Sequence, residues 1–197
     1  MKKRDVEFLY EIGTLRFIPR TWRQFLNLDF ANLAEHTLRV TWIALIIAKN
    51  EKKVNLDKIL KIALVHDICE SRTGDVHYLS RQYTKRNEKL AITGMLKNTS
   101  IESEFYQLWI EYEERKSLEA KIVKDADNID VDLELREQKS RGNLLPKKWK
   151  IMRQKGVGEK FFTKSAKKLW DSLHRVDPDA WHIKAPNRFR AGDLKTD

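Results

Sequence analysis

The sequence predicts an all-α bundle with a basic C-terminal extension. Apolar residues recur at three- and four-residue spacing through most of its 197 residues, only 7 Gly and 4 Pro interrupt them, and no pair of alternating strands is evident. Hydrophobic residues make up 41% of the chain, enough for a substantial core. No internal repeat appears.

The first residues, Met1-Lys2-Lys3-Arg4, begin like a signal peptide, but Glu7, Glu11 and Arg16 interrupt what would be its apolar segment. The longest apolar stretch, 40–48, contains Thr41 and is far short of the ~20 residues that span a bilayer. No membrane association is expected. The single cysteine, Cys69, allows no internal disulfide and fits a reducing cytoplasm, the expected location.

Asn32 and Glu35 form a capping-box pattern, so a helix is predicted from Leu33 to about Asn50, with His36 in its first turn. Leu33, Val40, Ile43 and Ile47 share the face of His36, which turns that imidazole inward. A second helix starts after Asn55, and Ile59, Ile62 and Ala63 share a face with His66. The run Ser71-Arg72-Thr73-Gly74-Asp75 reads as a turn, so His66 and Asp67 fall in a helix's last turn. Adjacent residues point about 100° apart on a helix, and only such an end lets both face one ion. Further helices are predicted at about 81–97, 101–115 and 118–140, the last entered through Ser117 and closed by Gly142. In that last helix Asp127 lies on a stripe with Ala120, Val123 and Val131, where a carboxylate must be paired or bound to metal.

Beyond Gly142 a short helix begins at Pro146 and is broken by Gly156-Val157-Gly158; another runs from Phe161 to Arg175 with Phe162, Ala166, Leu169, Trp170 and Leu173 inward. Residues 178–197 read as an irregular tail pinned by Trp181 and Phe189. The division expected is a core at 1–142 and an extension at 143–197 packed on it. The segment 142–197 carries 14 Lys and Arg against 6 Asp and Glu, most of the net +10. Such an excess attracts polyanions, but a solvated lysine-rich face explains it more simply, and nucleic acid is the less favoured partner.

Two inward imidazoles and inward carboxylates on separate helices point to one divalent ion, since burial without a cation leaves several polar atoms unsatisfied. His36, His66, Asp67 and Asp127 are the expected ligands. Asp125 and Asp130 compete for the fourth place, but the surroundings of Asp127 are more apolar. Glu70, four residues after His66 and three after Asp67, projects near both and is the candidate general base. Two histidines with two carboxylates suit Mn, Co, Fe, Ni or Mg better than a closed zinc site. Open coordination positions would then admit water and a phosphate oxygen, the apparatus of metal-assisted hydrolysis.

Ala34-Glu35-His36, His66-Asp67 with Glu70 and Thr73-Gly74-Asp75, and Lys124-Asp125-Ala126-Asp127 together resemble the H…HD…D signature of the HD-domain metal-dependent phosphohydrolases. Arg20-Thr21-Trp22 resembles a segment of their 5′-deoxynucleotidase branch. The resemblance covers roughly residues 8–140. It implies a helical bundle with one divalent metal ion, hydrolysis of nucleoside 5′-monophosphates, and a homodimer. It also implies that Asp75 serves the leaving-group oxygen or the sugar, Arg20 clamps the phosphate and Trp22 gates the sugar. Only His77 lies between the doublet and Asp127, which favours one metal over two. A triphosphohydrolase, with Arg72, Lys85 and Lys124 on a longer polyphosphate, is the enzymatic alternative. A nucleic-acid module with a structural metal, using Trp149, Trp170, Trp181 and Phe189, is the third reading.

Overall fold

The computed structural model describes residues 1–185. Its elements in order are α1 (Lys3–Gly13), α2 (Leu33–Ala48), α3 (Leu56–Val65), the single turn α4 (Glu70–Thr73), α5 (Glu88–Leu96), α6 (Glu102–Glu114), α7 (Leu118–Ser140), α8 (Leu145–Arg153), α9 (Lys164–Leu173) and the short α10 (Ala180–Ile183). Among the described residues there are no strands, and the fold is all-α. A lone antiparallel bridge between Pro19 and Asn32 closes the loop that carries Arg20.

Caps set most boundaries. Asn32 accepts from the Glu35 amide at 3.0 Å while the Glu35 carboxylate accepts from the Asn32 amide at 3.1 Å, a reciprocal box that starts α2. Asn55, Ser117 and Thr163 cap α3, α7 and α9 in the ordinary N-cap manner. Asn87 does the same for α5, so the helix expected from about residue 81 begins only at Glu88. The residues before it, Gln82 to Arg86, offer no apolar face to bury.

Two apolar clusters make the core. The larger joins α2, α3, α7 and α9 through Val40, Ile43, Ile59, Ile62, Val123 and Trp170. The other lies under α5 and α6 and includes Leu33, Val65, Ile92, Met95 and Trp109. Trp170, Ala166 and Leu173 thus place the extension in the same core as α2 and α3. The first turn of α2, the end of α3 and the middle of α7 converge where the two clusters meet.

The structure departs from the sequence reading in several places, and residues Ala180–Ile183 of the tail expected to be irregular form α10. Residues 3–13 form a helix tied by polar contacts: Arg4 donates to the Met95 carbonyl at 2.6 Å, and Glu11 accepts from Arg72 at 2.6 Å. Phe161, not Phe162, packs inward; Phe162 is half exposed because the Asp125 carboxylate takes the amides of Phe162 and Thr163 and fixes the chain there. The Gly156-Val157-Gly158 segment is a π-helical turn, Gln154–Gly158, before the chain leaves α8. Trp181 is 81% exposed and pins nothing, and Phe189 lies outside the described residues.

Candidate metal centre

His36 and His66 are fully buried, and their Nε2 atoms face each other at 3.3 Å. Each ring is oriented from behind. His36 Nδ1 lies 2.6 Å from Asp130 Oδ2, and His66 Nδ1 donates to the Ala63 carbonyl at 2.7 Å. With both Nδ1 atoms carrying hydrogen, the two Nε2 lone pairs point at the same space.

Two carboxylates complete the cluster. Asp67 Oδ2 lies 3.4 Å from His36 Nε2 and 3.3 Å from His66 Nε2, and Asp127 Oδ1 lies 3.4 Å from His36 Nε2. One donor atom from each of the four residues lies within 4.8 Å of all the others. Donors each about 2.1 Å from a common ion sit about 3.0–3.4 Å apart, so these spacings suit a cation. The doublet reaches this arrangement from the turn between α3 and α4, where the chain has left the regular helix and 100° separation no longer applies.

Electrostatics favour a positive charge at the centre. Burial and Arg20 oppose a proton on His36, but Asp127, Asp130 and Asp67 prevail and raise its pKa well above the ordinary imidazole value. Burial opposes ionisation of Asp127, yet Lys124, His36 and His66 hold its carboxyl well below the usual range. Asp67 is likewise held low, against burial, by His66 and His36. A divalent ion and a proton would compete for this space.

Around the cluster is a polar cavity of about 210 Å³. Glu70 lines it: Oε1 accepts from Arg86 at 2.7 Å, while Oε2 is buried with no hydrogen-bond partner. Burial, with Asp67 and Asp75, pushes the Glu70 carboxyl well up, against Arg20 and Arg86. Asp75 Oδ2 accepts from the Thr21 amide at 3.0 Å and lies 3.3 Å from Arg20 Nη1. Gly74, at φ +72°, makes the bend that delivers Asp75 and offers its carbonyl to Arg86. Arg20 Nη1 is also 3.5 Å from Asp67 and 4.0 Å from Glu70.

Trp22 stands apart from these lining residues. Its ring packs against Trp149, 5.5 Å between centroids, and against Tyr78 at 6.2 Å. His77 bonds Gln24 at 2.7 Å and packs on Phe25, away from the cluster. Of the cations expected for a polyphosphate, Lys124 lines the cavity; Arg72 is paired with Glu11, and Lys85 is exposed outside it. Arg81, Arg86 and Arg115 line the wall instead. A separate 490 Å³ cavity between α7, α8 and α9 has Lys139, Lys147 and Lys150 at its edge. Trp170 there is buried and bonds Asp132 at 2.9 Å, which removes it as a base-stacking platform.

Asp125, Asp127 and Asp130, three of the four aspartates of α7, have distinct positions. Asp125 faces α9 and accepts three hydrogen bonds from Phe162 and Thr163. Asp130 sits behind His36, on its Nδ1 side, and also pairs with Arg39. Arg39 in turn reaches Glu134 at 3.0 Å and Glu137 at 2.8 Å. Only Asp127 of the three faces the imidazole Nε2 atoms.

The family model described as HD domain matches residues 12–170. The chain belongs to the HD-domain family. Among similar curated HD-domain relatives, 5′-deoxynucleotidase HDDC2 of Danio rerio is 34% identical over 139 residues, which cover 67% of this chain and 68% of that protein. The protein of the same name from Homo sapiens is 32% identical, covering 67% of each. Among solved structures, a conserved hypothetical protein from Pyrococcus furiosus superposes with a TM-score of 0.73 at 24% identity, covering 87% of this chain and 99% of that one. A predicted metal-dependent phosphohydrolase from Magnetospirillum magnetotacticum gives 0.70 at 21%, covering 87% and 90%. These structures share the HD-domain fold. The family match, reaching residue 170, includes most of α9 as well as the H…HD…D segments.

Sequence reasoning weighed Asp130 only as an alternative ligand, not as the partner of His36 Nδ1, and missed Arg39, Arg86, Tyr112 and Arg115 as neighbours of the HD-domain cluster. Asp130, Glu134 and Glu137 at helical spacing, with Arg39 three residues after His36, carried a readable signal for Asp130 and Arg39. Arg86 comes from a loop and had none.

Proposed function

We propose that the protein hydrolyses deoxynucleoside 5′-monophosphates to nucleoside and inorganic phosphate, with one divalent ion held by His36, His66, Asp67 and Asp127. The observation that carries this reading is the pair of inward Nε2 lone pairs with two carboxylate oxygens at ligand spacing beside an unpartnered Glu70 oxygen. The relatives named 5′-deoxynucleotidase support the substrate class. An ion at this position would polarise a phosphoryl oxygen and acidify a water.

The chain's own groups supply the rest. Glu70 Oε2 accepts a hydrogen bond from the attacking water and takes its proton. Arg20, among Asp67, Glu70 and Asp75, offsets their negative charge and keeps the cavity open to an anion. Asp75 fixes the Arg20-Thr21 loop and offers its remaining acceptor capacity to the sugar or leaving oxygen. Trp22 braces that loop through the aromatic cluster with Trp149, and any effect on sugar preference is exerted through Arg20.

We infer a homodimer as well. Leu38, Trp42 and Ile46, four residues apart on α2, are 63%, 62% and 53% exposed and form an apolar stripe suited to a second copy. No helix among the described residues is long and apolar enough to cross a membrane, and a cytoplasmic enzyme of nucleotide metabolism fits this reading.

A panel of nucleoside mono-, di- and triphosphates, each with Mn, Co, Fe, Ni or Mg added after chelation, tests the assignment. The expected result is metal-dependent release of inorganic phosphate from deoxynucleoside monophosphates. Triphosphate as the sole inorganic product would replace it with the triphosphohydrolase reading.

A further inference from the structure

Among the described residues, one cation of the cavity wall has a buried donor that nothing accepts. Arg20 faces Asp67, Glu70 and Asp75; Arg86 bonds Glu70 at 2.7 Å and Glu88 at 2.5 Å; Lys124 bonds Asp127 at 2.7 Å. Arg81, at the exposed edge, donates to the Val76 carbonyl at 2.8 Å. Arg115 lines the same cavity, and its Nη1 is buried without any hydrogen-bond acceptor.

The side chain is nonetheless held in place. Its guanidinium carbon lies 4.0 Å above the Tyr112 ring, and the Tyr112 hydroxyl donates to Asp127 Oδ2 at 3.3 Å. The ring accommodates the face of the guanidinium but supplies no acceptor for N–H groups in its plane. The backbone of Arg115 is also unusual. It ends α6 at φ +51°, ψ +34°, the left-handed position where glycine or asparagine is customary. A buried donor without a partner, on a backbone favouring another residue, at the rim of a polar cavity, marks a group kept for something that enters the cavity.

We propose that Arg115 binds the phosphate group of the substrate, its buried Nη1 offering a donor that no group of the wall takes. This rests on the nucleotidase reading for the identity of the ligand. Tyr112 connects Arg115 to Asp127, so the guanidinium is one ring away from a member of the cluster, in the wall of the same cavity. A guanidinium fork matches two phosphate oxygens, and Arg115, unlike Arg20, forms no ion pair with a wall carboxylate among the described residues.

The test is calorimetric titration of inorganic phosphate into the full-length, Mn-loaded protein, comparing wild type with Arg115→Gly and Arg115→Lys. Glycine suits the left-handed backbone, so Arg115→Gly should keep its thermal midpoint and its metal content while binding phosphate roughly ten- to hundredfold more weakly. Arg115→Lys, which keeps charge and loses the fork, should fall between; Arg115→Gln replaces the glycine variant if the latter does not fold. Unchanged phosphate affinity in the uncharged variant, or no phosphate binding by wild type, overturns the proposal. Failure of the nucleotidase reading appears separately, as wild-type protein that binds phosphate through Arg115 yet releases none from any monophosphate.

Discussion

Glu70 and Asp130 are buried carboxylates, one lining the cavity and the other behind the His36 ring, and their positions predict opposite kinetic signatures. Glu70 Oε2 faces the cavity without a partner, so Glu70→Gln should retain metal and lose about 10²- to 10⁴-fold in kcat; an unchanged kcat would retire it as the base. Asp130 never meets the cavity but fixes the His36 ring through Nδ1. Asp130→Asn should therefore weaken metal affinity about 10- to 100-fold, with kcat largely recovered at saturating metal, as a metal titration of activity will show. Loss of turnover at saturating metal would mean that Asp130 acts on the reaction directly. His36, His66 and the inward face of Asp127 were legible because each shares an apolar stripe. The pairing of Asp130 with His36 was not, because it depends on the rotation of α7 against α2.

Among the helices, α7 does the most to build the site, presenting carboxylates on more than one face. Asp127 faces the imidazoles, Asp130 and Glu134 face α2, and Asp125 faces α9. Asp125 was a competitor for the metal on sequence grounds, but its three hydrogen bonds commit it elsewhere, to anchoring the chain that enters α9. Removing it leaves buried donors unsatisfied, at about 1–3 kcal/mol, so Asp125→Ala should lower the thermal midpoint by roughly 2–12 °C. Metal stoichiometry should stay at the wild-type value, and its loss would return Asp125 to the ligand set. Helix boundaries were legible wherever Asn, Ser or Thr caps stood in the sequence, as before α2, α3 and α7. α1 was not, since it has no Asn, Ser or Thr N-cap, and its hold on the body joins Phe8 and Ile12, packed on the second apolar cluster, to Arg4, Glu11 and Lys2 reaching α5, Arg72 and Thr99.

Across the entire protein, the exposed stripe of α2 lies on the helix that also carries His36, so a second copy seated there would stiffen the site without entering it. Trp42→Glu places a charge in the middle of that stripe and should convert a dimer to a monomer in light scattering, with metal content preserved. A monomeric wild type, or an unaltered dimer in the variant, would remove α2 as the interface. The basic extension contributes Ala166, Trp170 and Leu173 to the shared core, so the lysines of α9 lie on the other face of a packed helix. That periodicity was readable, but which of Phe161 and Phe162 turned inward depended on where Asp125 held the backbone.

The all-α class, the main helices and the four residues of the H…HD…D pattern could be read from the chain without coordinates, because helical period, capping residues and chemistry-bearing side chains on apolar faces are local properties. Folding in three dimensions was needed to decide that Asp125 and Asp130 are committed to other partners, that Trp22 stands outside the cavity, and that Arg115 is left without an acceptor. Those outcomes depend on how separate helices rotate and approach, and a ligand set or an unpaired charge exists only once groups distant along the chain have been brought within a few ångströms.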